Sequence, residues 1–383
     1  MAWYRCTLCG AEYSAAETHY LCPLCGQDWH PGQPLKGVLE TVYDYEAIGR
    51  QFDPQNPDWS LFSPLDASWF PAFPVGKTPL FRSDYFSQNG LDVWIKNDGL
   101  NPSGSLKDRA SILMVAEARR LGLQEIVCAS TGNAASALAA CCAAAQITAT
   151  IFVPASAPRA KRIQMKLCGA NVIEVDGDYD AAFDASIQYT KQYGTLNRNT
   201  AYHPLTIEGK KTVALEIYAQ LGQRVPDFIF VPVGDGVIIS AVFKGFLDLL
   251  RAQLIQRLPH LVCVQAEGSD AIAQFLESGE FHAVAQPSTI ADSISVKVPS
   301  NAYLARDAVV QTRGFSVRVS DKAILAAQRE LAAKTGVFGE PAAAAAVAGF
   351  DVVKEKLPAG SSCVLLITGH GLKDIDAAAN ALI

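Results

Sequence analysis

The sequence predicts an α/β protein built on parallel sheets, and both its length and its pattern of apolar residues support this fold class. The 383 residues fit two or three domains at about 150 residues each, with one large α/β domain as the alternative. Half of the residues are hydrophobic, so we expect a large buried core. The main body alternates short β-rich runs with segments of helical apolar spacing, which is typical of parallel sheets with right-handed crossovers.

The predicted elements follow this alternation along the chain. The strands are predicted at 93–96, 126–129, 148–153, 172–175, 228–233, 261–266 and 364–368. The helices are predicted at 106–121, 134–145, 159–167, 181–193, 212–221 and 238–256. Ligands of such folds bind at the carboxyl ends of the strands, so the loops that lead into the helices are the candidate sites.

Composition and charge argue against several classes of function. Charged residues make up 18% of the chain, below the roughly 25% of an average soluble protein, so we do not expect disorder. The 32 Lys and Arg residues are outnumbered by 38 Asp and Glu residues, so we expect no nucleic-acid partner. The most apolar window, 134–154, is largely Ala and Cys and ends in a proline, so we expect no membrane partner either.

The cysteines and the N-terminus predict a cytoplasmic protein. The segment that begins at Met1 lacks the charged start and the continuous apolar stretch of a signal peptide. Six cysteines fit free thiols that pack as small hydrophobes in a reducing compartment. These are Cys128, Cys141, Cys142, Cys168, Cys263 and Cys363.

The other four cysteines form two C-x2-C pairs that predict a metal site. Cys6 and Cys9 are followed, after twelve residues, by Cys22 and Cys25. Two residues between thiolates let one tight turn aim both sulfurs at one ion, and four thiolates complete a tetrahedral shell. Zinc is the predicted occupant, with iron in a rubredoxin-like site and a pair of disulfides as alternatives. A closed shell has no open position, so the predicted role is structural.

Three loops between a predicted strand and a predicted helix carry polar residues suited to chemistry. In the loop 97–109, Lys107 falls in the first turn of the next helix, where the helix dipole and burial both favour a nucleophilic amine. A surface pair with Asp108 is the alternative. The hydroxyls and amides of the loop 129–136 suit a carboxylate or phosphate, and the glycines of the loop 233–240 let backbone amides surround a phosphate.

Further motifs follow in the chain: Glu-Gly-Lys-Lys-Thr at 208–212, Gly-Val-Phe-Gly-Glu-Pro-Ala at 336–342 and Leu-Ile-Thr-Gly-His-Gly-Leu-Lys-Asp at 366–374. Together with the three loops, and in the same order, they resemble the fold-type II pyridoxal-phosphate enzymes, most closely the threonine synthase family. Some threonine-synthase-like proteins also begin with a zinc-ribbon-like segment.

The resemblance implies a tryptophan synthase beta-like fold with two parallel-sheet α/β domains after a small four-cysteine zinc ribbon. The ribbon would occupy residues 1–35. Residues 36–95 and 210–383 would form the large domain that binds the cofactor, and residues 96–209 a smaller mobile domain. Members of the family are commonly homodimers, so a homodimer is implied here too.

The resemblance also implies how pyridoxal 5'-phosphate is bound. Lys107 would form the Schiff base with the cofactor and then act as acid and base on the substrate. Asn133 would hydrogen-bond the phenolic oxygen, and Thr368 would face the pyridine nitrogen, where a hydroxyl does not hold the ring protonated. The carboxylate of Asp235 would repel the cofactor phosphate, so we expect it to turn outward. Backbone amides for the phosphate would come from Gly234, Asp235, Gly236, Val237 and Ile238.

The substrate-binding segments contain the main departure from the family. The carboxylate of an amino-acid substrate would be held by Ser130, Thr131 and Gly132. The family stretch Asn-Pro-x-Arg-Ile-Glu-Gly reads His-Pro-Leu-Thr-Ile-Glu-Gly at 203–209, so Thr206 replaces an arginine and its charge-assisted bonds to phosphate. Thr206 and Lys211 are the predicted substrate contacts here. The missing positive charge is expected from His203, Lys210 or Lys211, with solvated lysines as the alternative interpretation.

The implied reaction is that of threonine synthase, a carbon–oxygen lyase. It converts O-phospho-L-homoserine and water to L-threonine and phosphate by γ-elimination followed by β-addition. Because of Thr206, the alternative is a β-elimination or β-replacement enzyme that acts on serine, threonine, diaminopropionate or phosphoserine, as ammonia-lyases or cysteate-synthase-like enzymes do. A second alternative is a non-catalytic binding relative, which the presence of Lys107, Asn133 and Thr368 argues against.

Overall fold

The computed structural model of the chain describes residues 2–17, 20–27, 29–30, 32–154, 159–177 and 179–379. The strands are β1 (Ala2–Cys6), β2 (Glu12–Ser14), β3 (Leu39–Tyr43), β4 (Leu80–Arg82), β5 (Asp92–Asn97), β6 (Glu125–Ala129), β7 (Thr148–Pro154), β8 (Asn171–Val175), β9 (Leu196–Asn197), β10 (Phe228–Pro232), β11 (His260–Ala266), β12 (Phe315–Val319) and β13 (Ser362–Ile367). The helices are α1 (Tyr45–Gln51), α2 (Lys107–Leu121), α3 (Asn133–Ala145), α4 (Arg159–Leu167), α5 (Tyr179–Tyr193), α6 (Leu205–Gln220), α7 (Val237–Arg251), α8 (Ala271–Ser278), α9 (Ala302–Gln311), α10 (Asp321–Thr335), α11 (Pro341–Val353) and α12 (Ile375–Ala379).

The α/β class predicted from the sequence is confirmed. All of the predicted strands and helices are present, but α6 begins at Leu205, well before the predicted start at residue 212. The first turns of α6 contain the polar motif 208–212, which does not show helical apolar spacing. The local sequence pattern does not reveal that these polar side chains are buried, so the helix start was predicted too late. Sequence analysis missed the strands β1, β2, β3, β4, β9 and β12, most of which are short or lie outside the alternating main body.

The chain forms two compact units. Unit 1 comprises Met1–Gly76, Lys107–Thr212 and Arg251–Leu254, and unit 2 comprises Lys77–Leu106, Val213–Leu250 and Ile255–Ile383. The predicted assignment of residues 96–209 to a mobile domain, and the other predicted domain boundaries, stay predictions.

Unit 1 contains two sheets. The first has the strand order β2-β1-β3 and is antiparallel, and the second has the order β8-β7-β6-β9 and is parallel. The cysteine-rich N-terminal segment shares a hydrophobic core with α2 and α3, because Tyr4, Cys6 and Cys22 pack in one cluster with Leu113 and Leu138. The N-terminal segment is therefore packed into the main body of unit 1.

Unit 2 contains a six-stranded sheet with the order β12-β11-β10-β13-β5-β4. Its pairs are parallel except for β4, which is a short antiparallel edge strand. The alanine-rich α11 is buried along nearly its whole length, as expected for a helix that is apolar on every side. Among the described residues, no helix is both long and apolar enough to cross a membrane.

Candidate active site and metal centre

Lys107 is the first residue of α2, where the positive end of the helix dipole disfavours an ammonium charge. Its side chain is half-buried, and that of Asp108 is fully buried. The alternative interpretation placed this pair on the protein surface, and the burial of Asp108 contradicts that location. The backbone just before Lys107 is fixed, because the N–H of Leu106 donates to the carbonyl oxygen of Thr368 at 2.9 Å.

The loop from Ser130 to Gly132 joins β6 to α3, as the sequence predicted, and its binding of a carboxylate stays a prediction. The N–H of Gly132 donates to the hydroxyl of Ser130 at 3.1 Å, which tightens the loop. Ser130, Thr131 and Gly132 are half-exposed, whereas Asn133, the first residue of α3, is buried. The loop therefore lies at a helix N-terminus, where backbone N–H groups and the dipole favour an anion.

Two buried asparagines, which sequence analysis did not single out, hold the strand end before this loop. The side-chain Oδ1 of Asn199 accepts a hydrogen bond from the N–H of Ala129, the last residue of β6, at 2.7 Å. The N–H of Asn199 donates to the Oδ1 of Asn197 at 2.8 Å. The polar run Asn-Arg-Asn-Thr at 197–200 is the available sequence signal, but it begins at the last residue of β9, a short strand that the sequence did not predict.

Thr206 is fully buried, and its hydroxyl bonds to the backbone. It donates to the carbonyl oxygen of His203 at 2.8 Å and accepts from the N–H of Ala201 at 3.1 Å. The side chain therefore closes the turn that leads into α6. A contact between Thr206 and substrate stays a prediction.

His203 is a buried, neutral imidazole. Its Nδ1 accepts a hydrogen bond from the N–H of Leu205 at 3.2 Å, which leaves the ring proton on Nε2. Burial lowers the pKa of His203 to about 3, so the ring carries no charge near neutral pH. The hypothesis that His203 supplies positive charge is therefore wrong, because the buried site disfavours the imidazolium.

Lys210 and Lys211 are each only 1% exposed, so the interpretation of these residues as solvated lysines is also wrong. The Nζ of Lys211 forms an ion pair with Glu208, and the hydroxyl of Tyr43 donates to the same carboxylate. The ammonium also lies 4.3 Å from the centre of the Tyr43 ring. The Nζ of Lys210 donates to the carbonyl oxygen of Thr206 at 3.1 Å. The charge of Lys211 is thus compensated inside unit 1, as a buried cation requires.

Gly209 brings this motif close to the helix that starts at Lys107. A Cβ at Gly209 would collide with the carbonyl oxygen of Arg109 and lie 2.8 Å from the Cα of Ala110. The Nη1 of Arg109 also donates to the hydroxyl of Thr212 at 3.0 Å. The absence of a side chain at residue 209 is therefore what lets α6 pack against the first turn of α2.

The predicted phosphate loop joins β10 to α7 within unit 2. Gly236 has a φ of +85°, and a Cβ there would lie 3.0 Å from the carbonyl oxygen of Asn301, so this position requires glycine. The carboxylate of Asp235 accepts from the N–H of Ser300 at 2.6 Å, and the Asp235 carbonyl accepts from the N–H of Asn301 at 3.1 Å. The segment 300–301 therefore holds both the side chain and the backbone of Asp235.

The remaining predicted cofactor residues of unit 2 lie at the ends of strands or the start of a helix. Gly234 follows β10, Val237 and Ile238 form the first turn of α7, and Thr368 follows β13 and is buried. The first N–H groups of a helix have no partner within it, so α7 offers amide donors to a phosphate. Amide donors for the phosphate and a buried hydroxyl for the ring suit pyridoxal 5'-phosphate, so these residues of unit 2 fit this cofactor.

The four cysteines of the two C-x2-C pairs form one cluster. The Sγ atoms of Cys6, Cys9, Cys22 and Cys25 all lie within 4.8 Å of one another, and those of Cys9 and Cys22 are 3.7 Å apart. That distance is too long for a disulfide bond, and all ten cysteines are free thiols. Four thiols at this spacing are able to hold a metal ion.

In this cluster, hydrogen bonds favour the thiolate of Cys22, whereas burial raises the pKa of Cys6 and a contact with Cys9 raises that of Cys25. Burial opposes ionisation of the Cys22 thiol, but hydrogen bonds from the Tyr13 hydroxyl and from the backbone N–H groups of Cys25 and Leu24 outweigh it and lower its pKa to about 6. The distance between the Tyr13 hydroxyl and the Cys22 Sγ is 3.0 Å. The fold thus brings the four predicted metal ligands together, with their sulfur atoms within 4.8 Å of one another.

Comparisons with known proteins agree with this site. Residues 72–369 match the model of the family described as pyridoxal-phosphate dependent enzyme. A threonine synthase of Methanocaldococcus jannaschii is 35% identical over 98% of this chain and 94% of its own length. A threonine synthase of Synechocystis is 38% identical over 79% of this chain and 78% of its own length.

Solved structures share the fold. Threonine deaminase isoform 2 from Solanum lycopersicum has a TM-score of 0.69 at 22% identity and covers 80% of this chain and 87% of its own. A fungal L-serine ammonia-lyase from Rhizomucor miehei has a TM-score of 0.69 at 23% identity and covers 80% of this chain and 98% of its own. The chain therefore belongs to the pyridoxal-phosphate-dependent enzyme family, in the group of threonine synthase relatives, and pyridoxal 5'-phosphate is its cofactor.

Proposed function

We propose that this enzyme is a threonine synthase that converts O-phospho-L-homoserine and water to L-threonine and phosphate. The observation that carries this proposal is the 35% identity to a threonine synthase over 98% of the chain, N-terminal segment included. The deaminase and ammonia-lyase structures are only 22% and 23% identical, so their likeness supports the fold and not their activities.

We assign the proton transfers of the reaction to Lys107. When bound, the pyridoxal ring supplies an electron sink for carbanions next to the amino group of the substrate. The Nζ of Lys107 would move protons at Cα and Cβ of the substrate from the start of α2. The loop 130–132 would hold the substrate carboxylate, and the Thr368 hydroxyl and the amides of the phosphate loop would orient the ring.

The distal end of the substrate is assigned to the first turns of α6. Lys211 is the proposed contact for the phosphate, but Glu208 already compensates its charge. We therefore expect weaker binding of a phosphorylated substrate than an arginine at residue 206 would give.

A second candidate function is β-elimination from an unphosphorylated amino acid such as serine or threonine. The neutral state of His203 and the buried hydroxyl of Thr206 favour it, because neither residue brings positive charge to the segment 203–209. A phosphate dianion would meet fewer cations here than the family motif provides.

The decisive experiment compares the two reactions in one preparation. The purified enzyme is mixed with O-phospho-L-homoserine, and phosphate and threonine are measured; parallel samples with serine and threonine are assayed for oxo acids. Equal release of phosphate and threonine supports the proposal, whereas oxo acids without phosphate release support β-elimination. Reduction by borohydride followed by peptide mapping tests the role of Lys107, with Lys107→Ala as the unmodified control.

The proposed ion in the cysteine cluster is zinc, bound for a structural purpose. A tetrahedron with Zn–S bonds of about 2.3 Å has edges of about 3.8 Å, close to the 3.7 Å between Cys9 and Cys22. Iron has the same ligands and is the alternative occupant. Elemental analysis of purified protein that has not been exposed to added metal distinguishes the two.

The proposal also covers assembly and location. By likeness to the family, we expect a homodimer in the cytoplasm that acts on a small amino-acid substrate. Light scattering on the holoenzyme measures the oligomeric state, and a mass of one chain would contradict the expected dimer.

A further inference from the structure

We propose that Tyr20 is a positioning residue through which the four-cysteine metal centre holds both predicted substrate-binding segments in place. The identity of these segments rests on the proposed function, but the contacts described below do not. All of these residues belong to unit 1.

Tyr20 joins the metal knuckle to the strand β9. It lies two residues before Cys22, whose N–H donates to the carbonyl oxygen of Gly37 at 2.7 Å. The Tyr20 hydroxyl accepts from the N–H of Asn197 at 3.0 Å and donates to the carbonyl oxygen of Thr195 at 3.4 Å. One hydroxyl can accept one hydrogen bond and donate another, so Tyr20 fills both roles.

One branch of contacts leads from Tyr20 to the loop 130–132. Asn197, bonded to Tyr20 through its N–H, accepts from the N–H of Asn199 through Oδ1 at 2.8 Å. Asn199 accepts in turn from the N–H of Ala129 at 2.7 Å, directly before Ser130. Buried hydrogen bonds in such a chain are costly to leave unmade, so a shift at Tyr20 propagates to the predicted carboxylate site.

A second branch leads from the ring of Tyr20 to the start of α6. The ring stacks on Tyr202 with centroids 4.7 Å apart, and the edge contact with His203 has centroids 5.4 Å apart. His203 in turn accepts from the Thr206 hydroxyl through its carbonyl oxygen and from the N–H of Leu205 through Nδ1. The tyrosine ring therefore supports the turn that orients the predicted phosphate end of the site.

The second C-x2-C pair is flanked by another aromatic contact. Trp29 packs edge-on against Phe183 with centroids 6.1 Å apart, and Phe183 packs edge-on against Tyr202 at 6.2 Å. Metal–sulfur bonds join the two turns of the knuckle, whose Cys6 and Cys22 also pack in the core shared with α2 and α3. Loss of the ion would therefore loosen the turn next to Tyr20, and both branches would lose part of their common support.

Hydrogen exchange of the holoenzyme tests the inference. In the metal-bound protein, Tyr20→Phe keeps the ring but removes the acceptor of the Asn197 N–H, so exchange in 195–203 should become about tenfold faster or more. Removal of the metal from the wild-type protein by a chelator should speed exchange in the same segment and in 129–132. Unchanged exchange of 195–203 in metal-bound Tyr20→Phe would overturn the proposal, even if the metal-free protein unfolds.

The matched control is Tyr189→Phe. Tyr189 is also half-buried, but its hydroxyl bonds to Glu125 at 3.2 Å and not to the segment 195–199. Exchange in 195–203 should stay at the wild-type rate in this variant. An equal acceleration in Tyr189→Phe would show a general loosening of unit 1 and would contradict a specific role of Tyr20.

Kinetics separate positioning from catalysis. Tyr20→Phe should raise KM about fivefold or more with a small change in kcat and with unchanged absorbance of the bound cofactor, because it loosens substrate-binding segments only. A fall in kcat with unchanged KM would contradict a positioning role. The exchange experiment needs no substrate, so it stands even if O-phospho-L-homoserine proves not to be the substrate.

Discussion

The hydroxyl of Thr206 accepts a hydrogen bond from the N–H of Ala201 at 3.1 Å, and Ala201 has a φ of +57°. A left-handed backbone costs a residue with a side chain about 1 kcal/mol or more, so the turn requires compensation from its surroundings. The buried hydroxyl of Thr206 provides this compensation through its hydrogen bonds to the turn. In the related family, the resemblance implied an arginine at this position that binds substrate. In this protein, residue 206 therefore stabilises the turn that leads into α6.

Thr206→Val should destabilise the protein by about 2 kcal/mol. The change keeps the shape of the side chain but leaves the Ala201 N–H without its acceptor, whereas the His203 carbonyl keeps the backbone N–H of residue 206 as a donor. Urea unfolding measures the loss, and Thr206→Ser, which keeps the hydroxyl, should lose much less. Equal losses of unfolding free energy in both variants would show that the methyl group contributes as much as the hydroxyl, which would contradict a dominant role of the hydrogen bonds.

The ion pair between Glu208 and Lys211 should show strong coupling. Lys211→Met leaves a buried carboxylate without its cation and should cost about 3 kcal/mol, and Glu208→Gln should cost a similar amount. The double variant Glu208→Gln with Lys211→Met buries no unpaired charge. Its loss of unfolding free energy should therefore be clearly smaller than the sum of the losses in the two single variants. Additive losses in a double-mutant cycle would contradict the pairing.

Acid should destabilise the enzyme through His203. Its pKa is about 3 in the folded protein, below the ordinary value of 6.5, so the unfolded chain binds the proton first as the pH falls. The free energy of unfolding therefore falls by about 1.4 kcal/mol per pH unit between pH 6.5 and about pH 3. His203→Asn keeps an acceptor for the Leu205 N–H but does not titrate. Between pH 7 and pH 5 the wild type should therefore lose about 2 kcal/mol more than this variant in urea unfolding.

The Asp235 side chain should matter for cofactor affinity. Asp235→Ala removes the acceptor of the Ser300 N–H and should weaken binding of pyridoxal 5'-phosphate about tenfold, because the phosphate loop loses its support. Asp235→Asn keeps an acceptor and removes a negative charge, so its affinity should equal or exceed that of the wild type. Absorbance titration of the cofactor-free protein measures both. Weaker binding in the Asn variant would show that the charge itself is required.

Sequence patterns were sufficient where the information is local. The period of apolar residues placed β6, α3 and α2, because backbone conformation follows from neighbours along the chain. The spacing of Cys6, Cys9, Cys22 and Cys25 similarly predicted a cluster that the structure brings within 4.8 Å.

The charge and the burial of the site residues were decided by tertiary structure. His203, Lys210 and Lys211 have the appearance of cations in the sequence, yet the fold buries the imidazole in its neutral form and pairs Lys211 with Glu208. The links from Tyr20 to Asn197 and from Asn199 to Ala129 join residues far apart in the chain. Desolvation and long-range hydrogen bonds depend on which distant residues surround a group, so only the folded chain determines them.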